Sequence, residues 1–106
     1  STTTMSTITR IDDTTAHDAE TGARIHRTPR GWWVAVATGM PTDSVRIGQG
    51  GSPADAVADL SPAAIQSVGS DGGAADALEW ASMQPGAGFR FAADADGWEL
   101  LDAEDA

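Results

Sequence analysis

The chain has 106 residues, with six Arg, no Lys and sixteen Asp plus Glu, for a formal net charge of -10. That length fits one domain. Without Lys or Cys, chemistry that needs a Schiff-base amine, a P-loop Lys or a nucleophilic or metal-binding thiolate is excluded.

Residues 1–21 are rich in Thr and lack the basic and apolar stretches of a secretory signal. They are expected to form a disordered or frayed tail. Leu, Ile, Val and Phe number only 16 of 106, a poverty usually read as disorder beside so large a charge. Four Trp, three Met and 20 Ala supplement them, and the apolar positions have definite periods, so residues 22–101 are read as one domain with a thin core. The longest apolar run, Trp32 to Ala37, is six residues, far below the ~20 that span a bilayer. No membrane association and a cytoplasmic location are expected.

Thr28-Pro29-Arg30-Gly31 has the residue order of a type I turn, predicting a hairpin of Ala23–Thr28 with Trp32–Ala37. Pairing Arg27 with Trp32 sets Ile25 opposite Val34 and Ala23 opposite Val36, gathering the aliphatic residues on one face. Val45-Arg46-Ile47 reads as a third strand with Arg46 outward. Ser52-Pro53-Ala54-Asp55 supplies a helix cap, a first-turn Pro and an acid, predicting a helix to about Leu60. Ser61-Pro62 predicts a second short turn carrying Ile65 and Val68. A helix follows Asp71 and ends near Met83, with Ala74, Ala77, Leu78 and Ala81 on one stripe and Trp80 at its margin.

Gly88–Ala95 and Trp98–Leu101 flank Asp96-Gly97, a hairpin signal. Pairing Ala95 with Trp98 and Ala93 with Leu100 places Phe89, Phe91, Trp98 and Leu100 on one core face. Residues 102–106 are expected to be an acidic frayed tail. The fold class is therefore α+β: an antiparallel sheet, made of a hairpin plus a third strand and then a C-terminal hairpin, with two or three short helices packed on one face.

Several motifs reduce to structure. Ser52 between Gly51 and Pro53 looks like a nucleophile elbow, but Pro53 has no N–H to give an oxyanion, so Ser52 is a cap. Gly48-Gln49-Gly50-Gly51 lacks the third Gly of a dinucleotide loop and the Lys of a P-loop. Asp94, Asp96 and Gly97 fit part of a calcium loop whose end positions fall on Ala92 and Ala103. Asp12, Asp13, His17, Asp18 and Glu20 lack recurring ligand spacing. No catalytic residue, metal ligand or cofactor motif is assigned.

Charge is unevenly spread. From Gly22 to Gly50, four Arg oppose one Asp, a net of +3, and the remainder nets -13. In the register above, Arg24, His26, Trp33 and Arg46 share the sheet face opposite the aliphatics. Arg and Trp are residues that anchor partners, so these four are the candidate partner-binding site. Overall charge disfavours nucleic acid. The acidic, Lys-free composition resembles that of halophilic proteins, whose carboxylates repel until salt screens them.

Gly31-Trp32-Trp33-Val34-Ala35-Val36, then Gly48, then Gly51-Ser52-Pro53-Ala54-Asp55-Ala56-Val57-Ala58-Asp59-Leu60 resemble the HicB-like antitoxin domain over residues 23–60. The resemblance implies three strands with a helix across one face, sheet-mediated pairing, and binding of a small basic toxin or another protein. The expected function is a noncatalytic interaction or regulatory module whose partner is another protein or a second copy. The alternatives are a structural homodimer without a heterologous partner and a small hydrolase using paired carboxylates.

Overall fold

Gly31 decides how the sheet is assembled. Its φ of 103° is left-handed, a region open mainly to glycine. The Gly31 N–H donates to the Thr28 carbonyl at 3.0 Å and the Thr28 N–H to the Trp32 carbonyl at 2.8 Å. A turn followed by one left-handed residue makes a three-residue hairpin loop, so Arg27 pairs with Trp33 and Ile25 with Ala35. The expected pairing of Arg27 with Trp32 is corrected by one residue.

The computed structural model describes residues 7–38, 45–65 and 73–103. Six strands lie side by side in chain order, all antiparallel: β1 (Ile8–Asp12), β2 (Thr15–Asp18), β3 (Arg24–Arg27), β4 (Trp33–Ala37), β5 (Arg46–Gly50) and β6 (Ser61–Pro62). Helix α1 (Pro53–Ala58) joins β5 to β6, and α2 (Ala74–Ser82) precedes a separate hairpin of β7 (Phe89–Asp94) and β8 (Gly97–Asp102). The α+β class and the antiparallel pairing are as expected, but the C-terminal hairpin forms a sheet of its own rather than continuing the first.

A one-residue slip turns every side chain of a strand to the other face. Trp33, Ala35 and Ala37 therefore lie with Ile25, while Val34 and Val36 lie with His26, Arg24 and Ile47. All five residues of β4 are buried, because both faces of the sheet are covered. On one side Ala16, Ala23, Ile25, Trp33, Ala35 and Ala37 pack with Ala56 of α1. On the other, Val34, Val36, Val45 and Ile47 meet Ala77, Leu78 and Ala81 of α2, with Phe89 and Leu100 of the hairpin. The helices thus occupy opposite faces of the sheet, not the single face expected.

Helix α1 begins as its sequence indicates: Ser52 Oγ accepts from the Asp55 N–H at 3.1 Å, and Pro53 occupies the first turn. The two glycines before it have a packing role. A Cβ on Gly48 would lie 2.4 Å from the Ala56 carbonyl oxygen, and one on Gly50 2.5 Å from Asp55 Cβ. Bare backbone in β5 lets α1 lie directly on the sheet.

Residues 8–18, expected within a frayed tail, form β1 and β2. Thr is polar but β-branched, which suits a half-exposed strand, and Ala16 and Ile8 join the core on the α1 side. Asp12 organises the connection, its Oδ1 accepting from the Thr14 N–H at 2.8 Å. Ser61-Pro62, expected to open a turn, is instead a two-residue edge strand on β5. Residues 1–6, Val68 and residues 104–106 lie outside the described residues. Asp102, expected in a frayed tail, ends β8.

In the second hairpin Ala93 pairs with Trp98 and Phe91 with Leu100, two residues from the expected register. A shift of two restores the face, so Phe89, Phe91, Trp98 and Leu100 do share one side. Asp94 Oδ1 closes the loop, accepting from the Asp96 and Gly97 N–H groups at 2.8 and 3.1 Å.

Candidate functional site at the hairpin tip

The four residues expected on one open surface are divided between the two faces. Trp33 and Arg46 belong to the α1 side and Arg24 and His26 to the other, again because of the one-residue register shift. Trp33 is only 5% exposed, and the Arg10 guanidinium sits 4.9 Å from its ring centroid, a cation–π cover over a core residue. The shared Arg-Trp surface is corrected: Trp33 packs, Arg46 pairs with Ala37 and Pro62, and Arg24 and His26 remain together.

What joins Arg24 and His26 is Trp98. The base of the β7–β8 hairpin is tied at both ends. Gln49 Oε1 accepts from the Gly88 N–H and from Trp32 Nε1, both at 2.8 Å. The Asp102 carboxylate accepts from the Thr28 hydroxyl and, at 3.0 Å, from the Arg30 N–H. These ties carry the tip over β3, where the Trp98 ring stands edge-on to His26 with centroids 5.0 Å apart. Phe91 supports it at 5.8 Å.

A concavity opens on each side of the His26–Trp98 pair. The first, about 420 Å³, is lined by Arg24, Gly22 and Thr38, with Val36 and Ala74 as apolar surface. The second, about 590 Å³, is lined by Thr14, Thr15, Arg27, Pro29 and Glu99. Trp98 is 36% exposed between them. Arg24 is exposed, and its side chain has no hydrogen bond or ion pair with any described residue.

Burial, and then the neighbouring Arg24 charge, hold the His26 pKa below the ordinary imidazole value of 6.5, with Asp12 acting weakly in the opposite sense. His26 is therefore neutral at pH 7, offering one N–H donor and one acceptor nitrogen. An NMR titration is expected to place its midpoint below 6.5. Trp98→Ala, by uncovering the ring, is expected to move that midpoint back upward. The stability tied to the neutral form is complete above 6.5 and is lost as pH falls through the lower folded value.

Among the described residues no three His, Asp or Glu side chains gather as a metal site, and no helix is long and apolar enough to cross a membrane. A guanidinium, a neutral imidazole and an indole can bind and orient a ligand.

The chain matches no family model, no curated protein and no solved structure.

Reading the sequence placed Arg24 and His26 on one face, as the structure does, but did not bring Trp98 to them. Trp98 has the alternation of a core residue, yet beside the turn, with a concavity on either side, it stays part-exposed. Gln49 and Asp102 were also missed. A lone amide between glycines and an acid in a terminal run carry no local pattern, because their partners are 39 and 74 residues away.

Proposed function

We propose that this chain is a small noncatalytic protein-interaction module of the HicB-like antitoxin kind, which docks a basic protein partner over Trp98. The supporting observation is Trp98 itself, held edge-on over a half-buried neutral His26 and beside Arg24, whose charge is uncompensated by any described residue. Trp and Arg are the residues whose truncation most often abolishes docking. The net charge of -10 favours encounter with a basic protein.

The test is retention of proteins from a lysate held in molar KCl by the intact chain, Trp98→Ala and Arg24→Ala. One small basic protein is expected on the intact chain, reduced at least tenfold on each variant. No retention, or equal retention on all three, removes the proposal. Light scattering in the same buffer provides a second check: a dimer that Trp98→Ala converts to monomer would assign the surface to another copy of the chain instead.

A further inference from the structure

We propose that the cavity between Arg24 and Trp98 receives the C-terminal residue of a partner polypeptide, its carboxylate on the Arg24 guanidinium and its apolar side chain against Val36, Ala74 and Trp98. This rests on the interaction reading above and specifies the chemistry that the surface recognises. In a chain with sixteen carboxylates and six Arg, an exposed Arg that pairs with none of the described ones is open to an acid from outside. The guanidinium fork matches a carboxylate in two parallel hydrogen bonds.

The rest of the cavity suits the residue bearing that acid. Val36, Ala74 and Trp98 offer apolar contact, and neutral His26 offers a hydrogen bond between them. A free small acid would leave the adjoining 590 Å³ concavity empty. A polypeptide would continue into it past the His26–Trp98 pair. There Glu99 lines the rim, while the Arg27 guanidinium is drawn toward Gly31 in the turn. A basic residue preceding the terminus offsets the repulsion that a net charge of -10 exerts on an isolated anion.

The probes are acetyl-Arg-Ala-Leu with a free carboxylate, the same peptide as its amide, and 4-methylpentanoate, titrated into the full chain by NMR in 0.15 M and 1 M KCl. The free-acid peptide is expected to saturate and to shift the Arg24, His26 and Trp98 side-chain resonances. The amide is expected to bind at least tenfold more weakly, and Arg24→Gln to abolish that difference. Equal binding of acid and amide, or no saturable binding of either, overturns the proposal. Binding of 4-methylpentanoate as tight as that of the peptide overturns the polypeptide source and assigns the cavity to a free acid. If the peptides fail while partner retention still depends on Trp98, the terminus is wrong and the docking surface stands.

Discussion

Gly48→Ala is expected to destabilise the chain by about 3 kcal/mol, the upper end for overpacking in a well-filled interior. The added methyl would lie 2.4 Å from the Ala56 carbonyl oxygen and 2.6 Å from Asp59 C and Leu60 N. All three are backbone atoms of α1 or its end, so no rotamer change relieves the clash and the helix must move off the sheet. For a domain of this size the loss corresponds to a fall in Tm of about 15 °C. Gly51→Ala is the control, since a Cβ there meets nothing within 4 Å and the change is expected to stay within about 0.5 kcal/mol. Thermal melts in molar KCl separate the two, and a Gly48→Ala melt within about 3 °C of the parent would count against direct contact between α1 and β5.

Asp18→Asn is expected to cost about 2–3 kcal/mol at pH 7, from hydrogen bonds to a charged acceptor. Asp18 is 2% exposed. One carboxylate oxygen accepts from the Thr7 hydroxyl; the other accepts from the Thr21 hydroxyl at 2.6 Å and the Thr21 N–H at 2.9 Å. An Asn amide turns an NH₂ donor toward this set of donors. Burial raises the Asp18 pKa, but the hydrogen bonds from Thr21 and Thr7 outweigh it and hold the group below its ordinary 3.8. A depressed folded pKa means stability that is complete above 3.8 and is lost as pH falls through the lower folded value. The gap between variant and parent is therefore expected to narrow between pH 7 and pH 3. Urea denaturation at the two pH values measures it, and an unchanged gap would mean that the hydroxyls do not depend on the ionised carboxylate.

The two hairpins show how far the sequence was legible. Pro29 and Gly31 located the first turn, but they do not say that Gly31 adopts φ 103° and shortens the loop to three residues. That single residue sends Val34 and Val36 to one face and Trp33 to the other, so the expected Arg-Trp surface is divided. In the second hairpin the error was two residues, and the even period of a strand preserved the face of Phe89, Phe91, Trp98 and Leu100. Local signals such as the Ser52 cap and the Ala77-Leu78-Ala81 stripe were readable because cap and stripe lie within one helix. The meeting of His26 with Trp98 was not readable, because it depends on hydrogen bonds from Gln49 and Asp102 to distant segments.

Those distant hydrogen bonds also order the folding of the chain. Strands β1 to β6 pair only with their sequence neighbours, so each step of the sheet closes a short loop and pays little chain entropy. The tie between Thr28 and Asp102 closes 74 residues and is expected to form last. Until the C-terminal hairpin arrives, Val34, Val36 and Ile47 lack the cover of Phe89 and Leu100, a bare β surface that chaperones recognise and that aggregates when left waiting. In native-state hydrogen exchange the hairpin is expected to open as one unit at lower free energy than β3–β5. The element that carries Trp98 is thus also expected to be the last to assemble and the first to detach.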